Sequence, residues 1–268
     1  MINRRPARPV AILLAALPFV AVLVAYAIAS DIRLAANPAD KLLPAPATIG
    51  TTALRLFTEG DRRSGEILLW SDTWASLRRL GLGVAIAAVL ALATGVPIGM
   101  LPYARRAFSG FVAVLSMVPP LALLPILFIV FGLGETSKVV LIVVGIAPFL
   151  IRDIAQRTLD IPHEEIVKAK TLGASSAVIA LRVVIPQILP RLIAGIRLSL
   201  GASWLFLIAA EAVAADSGLG YRIFLVRRYL AMDVILTYVI WITLLAFLID
   251  GALRTLSRRA FPWLGAGL

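Results

Sequence analysis

The chain predicts an all-α polytopic membrane protein of about six transmembrane helices, carrying a cytoplasmic helix–turn–helix. Three observations lead there. Of its 268 residues 60% are hydrophobic and only 15% charged. Uncharged apolar runs long enough to cross a bilayer recur along it, and basic residues gather on alternate loops. Soluble domains carry about 25% charged residues, so a soluble globular enzyme is excluded, and disorder requires low hydrophobicity. The sequence has no cysteine and one histidine, His163. That removes disulfide scaffolds, thiolate zinc sites, iron–sulfur clusters and cysteine nucleophiles, and no metal site is expected.

The charge-free runs define the spans. Residues 9–30, 80–104 and 107–134 give 22, 25 and 28 positions, each beyond the roughly 20 needed to cross about 30 Å of hydrocarbon. Later runs are shorter: 139–151 and 198–210 hold 13 residues each and 234–249 holds 16. At about 1.5 Å per residue, 13 residues cover roughly 20 Å. These three helices must therefore recruit flanking polar residues or lie where protein, not lipid, surrounds them, and they are read as facing the bundle interior. Residues 1–30 share the basic start of a signal peptide, but the apolar run exceeds an h-region of about 7–15 residues, and no cleavage pattern follows Ser30. It reads as an uncleaved span.

Orientation follows from lysine and arginine. With both termini inside, 14 basic residues face the cytoplasm (Arg4, Arg5, Arg8, Arg105, Arg106, Arg152, Arg157, Lys168, Lys170, Arg182, Arg191, Arg254, Arg258 and Arg259), against the acids Asp153, Asp160, Glu164 and Glu165. The outer segment 31–75 is balanced, with Arg33, Lys41, Arg55, Arg62 and Arg63 against six acids. The net charge of +11 is thus an orientation signal, and no nucleic-acid partner is expected. One outer segment, 215–232, breaks the rule with Arg222, Arg227 and Arg228. Those arginines call for a partner: an acidic face of another protein, an anionic solute or lipid headgroups.

Three parts follow: residues 1–75 with the first span and an outer segment, a core at 76–255, and a cytoplasmic tail at 256–268. In the outer segment Pro38, Pro44 and Pro46 keep the chain extended, and residues 48–57 suit an amphipathic helix lying on the membrane surface. In the core, Pro119, Pro120 and Pro125 each remove a helix hydrogen bond and kink the third span, and Pro148 does the same in the fourth. Such breaks mark a translocation pathway or gate, although membrane helices also tolerate proline when neighbours satisfy the backbone. Gly95, Gly99, Gly195 and Gly201 are expected at close helix contacts. Glu211 is the one acid within the apolar stretch 198–215; it either makes a fixed contact with another helix or lines the pathway.

The inner segment 152–190 is the longest cytoplasmic stretch and reads as two short helices. Pro162 suits the first helical position. Glu164 and Glu165 in the first turn, with Lys168 and Lys170 in the last, match the helix dipole, and Glu164–Lys168 is a favourable pair four apart. Gly173 ends this helix at positive φ. Ser175 or Ser176 caps a second helix running through Val178, Ile179, Leu181, Val183 and Val184 to Pro186. A charged helical hairpin leaving a membrane bundle is a docking element for a cytoplasmic partner.

This segment, from Glu165 through Gly173 to Val183-Val184-Ile185-Pro186, resembles the EAA loop of the permease subunits of bacterial ABC importers, the binding-protein-dependent transport inner-membrane components. In that pattern a glycine is followed by nine residues and then I-x-L-P. Gly173, the spacing and Pro186 match. The E-A-A triplet falls on Val167-Lys168-Ala169, where only Ala169 is kept, and Glu164 and Glu165 lie one turn earlier. Further segments are similar to the sulfonate, taurine and nitrate branch: Gly95-Val-Pro-Ile-Gly99, Val118-Pro-Pro-Leu-Ala122, Leu124-Pro125, Phe131-Gly-Leu-Gly-Glu-Thr-Ser-Lys138, and Ala210-Glu-Ala with Ser217-Gly-Leu-Gly-Tyr221. The resemblance covers about residues 75–255.

The resemblance implies a permease, not an enzyme, of the bacterial inner membrane. It would pass a small solute (a sulfonate, taurine or nitrate-like ion, or a small nitrogen compound) from a periplasmic binding protein to the cytoplasm by alternating access. It implies cytoplasmic ABC ATPase subunits, a second permease copy and membrane lipids as partners. No cofactor is expected on this chain, since no G-x-x-x-x-G-K-[ST] run occurs and ATP and magnesium would belong to the ATPase. Glu164, Glu165, Lys168, Ala169, Leu172, Gly173, Ala174, Val183, Ile185 and Pro186 would form the ATPase-coupling loop. Pro119, Pro120, Pro125 and Glu211 would line the pathway or gate, and Glu135, Arg222, Arg227 and Arg228 would meet the binding protein. The competing readings are an ATP-independent carrier or channel, and an intramembrane enzyme. The enzyme is disfavoured because His163 lies in the loop and no two aspartates share a helical face within a span.

Overall fold

The computed structural model describes residues 7–61 and 65–263, and among them every regular element is helical. Arg4, Arg5, Arg62 and Arg63, and the tail beyond Trp263, lie outside the described residues. In chain order the helices are α1 (Arg8–Ala36), α2 (Pro46–Thr58), α3 (Leu68–Met100), α4 (Pro102–Leu115), α5 (Leu124–Phe131), α6 (Glu135–Leu159), α7 (His163–Thr171), α8 (Ser176–Ala214), α9 (Leu219–Arg227) and α10 (Met232–Ala260). Five of these are long and apolar enough to cross a membrane, and α4 with α5 makes a sixth span if that bent pair counts as one.

The chain divides into two units. The first comprises the residues up to Leu68 together with Leu225–Ile240. Its α1 buries none of its most apolar stretch, and Ile12, Leu17, Phe19 and Leu23 stand exposed all round it. A helix that is apolar on every face needs lipid, not water, around it. The chain then folds back: Tyr26 Oη donates to the Pro44 carbonyl at 2.7 Å and Ser30 Oγ to that of Leu43 at 3.0 Å. The Arg33 guanidinium holds the Asp40 carboxyl below the usual carboxylate range. The amphipathic helix expected at 48–57 is α2. Pro46 opens it instead of extending the chain before it, because proline's missing N–H costs nothing in a first turn. Thr52 donates to Asp233 at 2.7 Å.

The second unit, Leu69–Phe224 together with the residues from Trp241 on, is built around α6, which packs against α3, α4, α5 and α8. Small residues allow the approach. A methyl at Gly95 would meet the Ile151 carbonyl at 2.9 Å, one at Gly99 would run into Thr158 and the Ala155 carbonyl, and one at Gly195 would reach Asp153 and Leu150 at 3.2 Å. Gly201 differs from this expectation, for nothing lies within 4 Å of a side chain added there. Gly83 against Ile142 and Gly145 against Phe206 are close contacts that the sequence reading did not include.

Four further expectations are corrected. The second span begins at Leu68, so Asp72, Ser76 and Arg79 lie within a helix and not in the outer segment or its edge. The third span is not merely kinked: α4 and the segment Pro120–Phe131, a 3₁₀ turn at Pro120–Leu123 leading into α5, meet at 81° across residues 116–119. Pro148 leaves α6 unbroken. Lastly, α6 and α8 bury 44% of their most apolar stretches, but α10 buries 28%, less than the 33% of α3. Val239, Ile240, Phe247 and Leu248 on α10 face outward.

Candidate functional site

Two constellations sit at opposite ends of α6 and α8. At one end, the loop that joins these helices carries α7. Its first helical residue is His163, with Pro162 as the N-cap, one position earlier than expected. Glu164 and Glu165 occupy the first turn and Lys168 and Lys170 the last, and no residue of α7 is buried. The helix closes with both bonds of a Schellman motif: Gly173 N–H to the Lys170 carbonyl at 2.9 Å, and Ala174 N–H to that of Ala169 at 3.0 Å. Gly173 has φ +81° with open space where a side chain would project. Leu172, 87% exposed, stands in the open on this charged helix.

The return segment differs from the expected second short helix. Ser175 is the cap, its Oγ accepting from Val178 N at 3.4 Å, but the helix does not stop at Pro186. A π turn at Ala180–Val184 precedes Ile185-Pro186, and the chain continues as one helix to Ala214. The wider turn carries the backbone past the point where the proline ring would strike the carbonyl four residues back. The buried anchors here are Ile179 and Val184, while Val183, Ile185 and Pro186 are only half-buried. Gln187 Nε2 donates to Glu165 Oε2 at 2.7 Å, tying α7 to the base of α8.

At the other end lies a buried ion cluster. Asp72, Ser76 and Arg79 share one face of α3, at i, i+4 and i+7. Arg79 Nη1 donates to Glu211 Oε1 at 2.7 Å, and its Nε and Nη2 reach Glu135 at 2.6 and 2.8 Å. Lys138 joins Glu135 at 2.9 Å. Ser76 Oγ lies 2.8 and 2.9 Å from the two Glu211 oxygens, and Gly220 N–H donates to Oε2 at 2.9 Å. Arg222 Nε meets Asp72 at 2.8 Å, and Gly218 N–H donates to the same carboxylate at 2.9 Å. Asp72, Glu135 and Glu211 thus balance Arg79, Lys138 and Arg222. Pairing of this kind is what lets charges sit inside a membrane bundle.

The cluster bears on several expectations. Of the two alternatives for Glu211, the structure shows the fixed contact: the side chain is fully buried against Ser76 and Arg79 of α3. Arg222 finds its partner in Asp72, which was none of the three candidates. Glu135 is held by Arg79 and Lys138, yet its side chain stays 60% exposed. Arg227 ends α9 and Arg228 follows it. Pro119 closes the 81° break, Pro120 begins the segment after it and Pro125 lies in the first turn of α5. Asp72, Ser76 and Arg79 fall before the charge-free run that begins at residue 80, so the run does not include them. Their helical period was the signal that could have found them.

The family model for the binding-protein-dependent transport system inner membrane component matches residues 83–262. The taurine transport system permease protein TauC of Escherichia coli is 38% identical over 74% of this chain and 72% of its own length. The bicarbonate transport system permease protein CmpB of Synechococcus elongatus is 29% identical over 81% and 80%. Among solved structures, the inward-facing MetNI methionine ABC transporter superposes with a TM-score of 0.64 over 72% of this chain and 95% of that one. At 24% identity the likeness is one of fold.

Proposed function

This chain belongs to the binding-protein-dependent transport system inner membrane components and is the permease subunit of an ABC importer; on that premise we propose that its cargo is a small oxyanion. One observation carries the cargo class. Taurine, aliphatic sulfonates and bicarbonate, named for permeases similar to this one, all present a compact anionic oxygen head. The family works with ATPase and solute-binding partners. Here α7 is the surface offered to the ATPase, facing the cytoplasm, and two copies of the chain enclose the pathway.

The helices supply the mechanical link. A push on α7 enters α6 through the 160–162 turn and α8 through Gly173–Ser175. From Ser176 to Glu211 the chain is one helix, about 52 Å long at 1.5 Å per residue. Glu211 holds Arg79 on α3 and Gly220 at the start of α9. The ion cluster is thus the far end of two levers, and docking at one end biases the other, as alternating access requires.

The cargo is tested by uptake of radiolabelled taurine in cells that express the whole importer and lack their own taurine and sulfonate systems. Uptake, or binding-protein loading, that is competed by an alkyl sulfonate or bicarbonate and not by choline is the expected outcome. Competition by choline alone contradicts the oxyanion reading.

A further inference from the structure

Near the coupling loop an open cleft of about 280 Å³ lies between the end of α3, α4 and the last third of α6. Its polar lining is Arg105 and Ser109 from α4 and Arg152 and Gln156 from α6, between apolar walls that include Val112 and Ile151. Among the described residues no acid lines it.

Both guanidiniums are anchored with donors to spare. Arg105 Nη2 donates to the Gly99 carbonyl at 2.6 Å and Nε to that of Ile98 at 3.3 Å, closing the open end of α3 and leaving Nη1. Arg152 uses Nη1 on Ser116 Oγ at 2.9 Å, leaving Nε and Nη2. Gln156 turns its amide N–H toward Asp160 at 2.9 Å, outside the cleft. Arg105 and Arg152 bring two like charges to this open cleft, and no carboxylate among its lining residues offsets them. The planar guanidinium fork matches phosphate and sulfonate oxygens in pairs, and basic pockets between membrane helices hold headgroups.

We propose that this cleft binds one compact oxyanion head, a phosphate or a sulfonate, through Arg105, Arg152 and the Ser109 hydroxyl. The head comes either from a soluble anion or from an anionic phospholipid. Arg105 also caps α3, so removing it would confuse binding with folding; Arg152 and Ser109 are the residues to change. The proposal does not depend on what the importer carries: competition by choline in the uptake experiment would leave this site untouched.

The test is thermal unfolding of the purified permease–ATPase complex, since a ligand of the folded state raises its midpoint by mass action. Inorganic phosphate and methanesulfonate are titrated in neutral detergent. Phosphatidylglycerol is compared with phosphatidylcholine in nanodiscs. At least one probe is expected to raise the midpoint saturably, with the shift lost in Arg152→Gln, reduced in Ser109→Ala and kept in Arg106→Gln, whose side chain does not line the cleft. A shift with the soluble probes identifies a free anion, and a shift with phosphatidylglycerol alone identifies the lipid. No shift with any probe, or an equal shift in Arg152→Gln, overturns the site. If Arg152→Gln fails to assemble, the dependence on Ser109 decides by the same criterion.

Discussion

At Gly173 a single backbone angle shapes the docking helix. φ of +81° with nothing near the missing side chain means that a substitution there meets backbone strain and no steric clash. Strain of this sort costs of order 1–3 kcal/mol, and asparagine tolerates the region where valine does not. Gly173→Val is expected to keep the spans inserted but to lower solute uptake and solute-stimulated ATP hydrolysis at least tenfold, with Gly173→Asn close to wild type. Equal activity in the two variants would sink the coupling role of this turn. The buried cluster gives a second residue-scale prediction. Arg79 serves both Glu135 and Glu211, so Arg79→Gln leaves the fully buried Glu211 without a cation, held only by Ser76 and the Gly220 N–H. Stranding a buried charge costs about 3–5 kcal/mol, whereas Glu211→Gln leaves Arg79 with Glu135 and costs less. Thermal unfolding of the purified complex should rank wild type above Glu211→Gln and Glu211→Gln above Arg79→Gln; the reverse order contradicts the assignment. Gly173 and Glu211 were legible as single residues because each breaks its local pattern, a glycine ending a charged helix and an acid in an apolar run. Asp72 and Arg79 were not, since charge near a span's edge looks like an outer segment until the helix is known to start at Leu68.

Among elements, proline placement sorts what the chain declared from what it concealed. Two π turns, Ala91–Gly95 and Ala180–Val184, each stand one residue ahead of a proline pair position, Val96-Pro97 and Ile185-Pro186. In both places the wide turn accommodates the ring and the helix runs on. The sequence shows the prolines and not the turns, which is why the coupling segment reads as ending at Pro186. At Pro119-Pro120 no such turn forms; the chain leaves the helix and α5 departs at 81°. Spin labels on cysteines replacing the exposed Phe111 and Ile129 measure this bend. A straight helix would separate the two backbones by about 27 Å, and the broken pair should give a clearly shorter distance. A separation at or above that length would show a continuous span.

For the whole molecule, the apolar runs and the arginine bias were enough to place an all-helical membrane bundle with a projecting loop. Which helix is central was not, because burial of α6 depends on glycines and on partners far along the chain. The proposed orientation puts α7 in the cytoplasm. A cysteine replacing Ser175, in a chain that has none of its own, should resist an impermeant thiol reagent in intact cells and react after lysis; labelling in intact cells would reverse the topology. The most direct measurement is solute uptake by proteoliposomes holding this permease with its ATPase. Accumulation is expected only when ATP is supplied on the α7 side and the loaded binding protein on the other, and it should disappear when either is withheld. Solute flux that persists without ATP or the binding protein would make the chain a carrier or channel in its own right and contradict its role as an ATP-driven importer subunit.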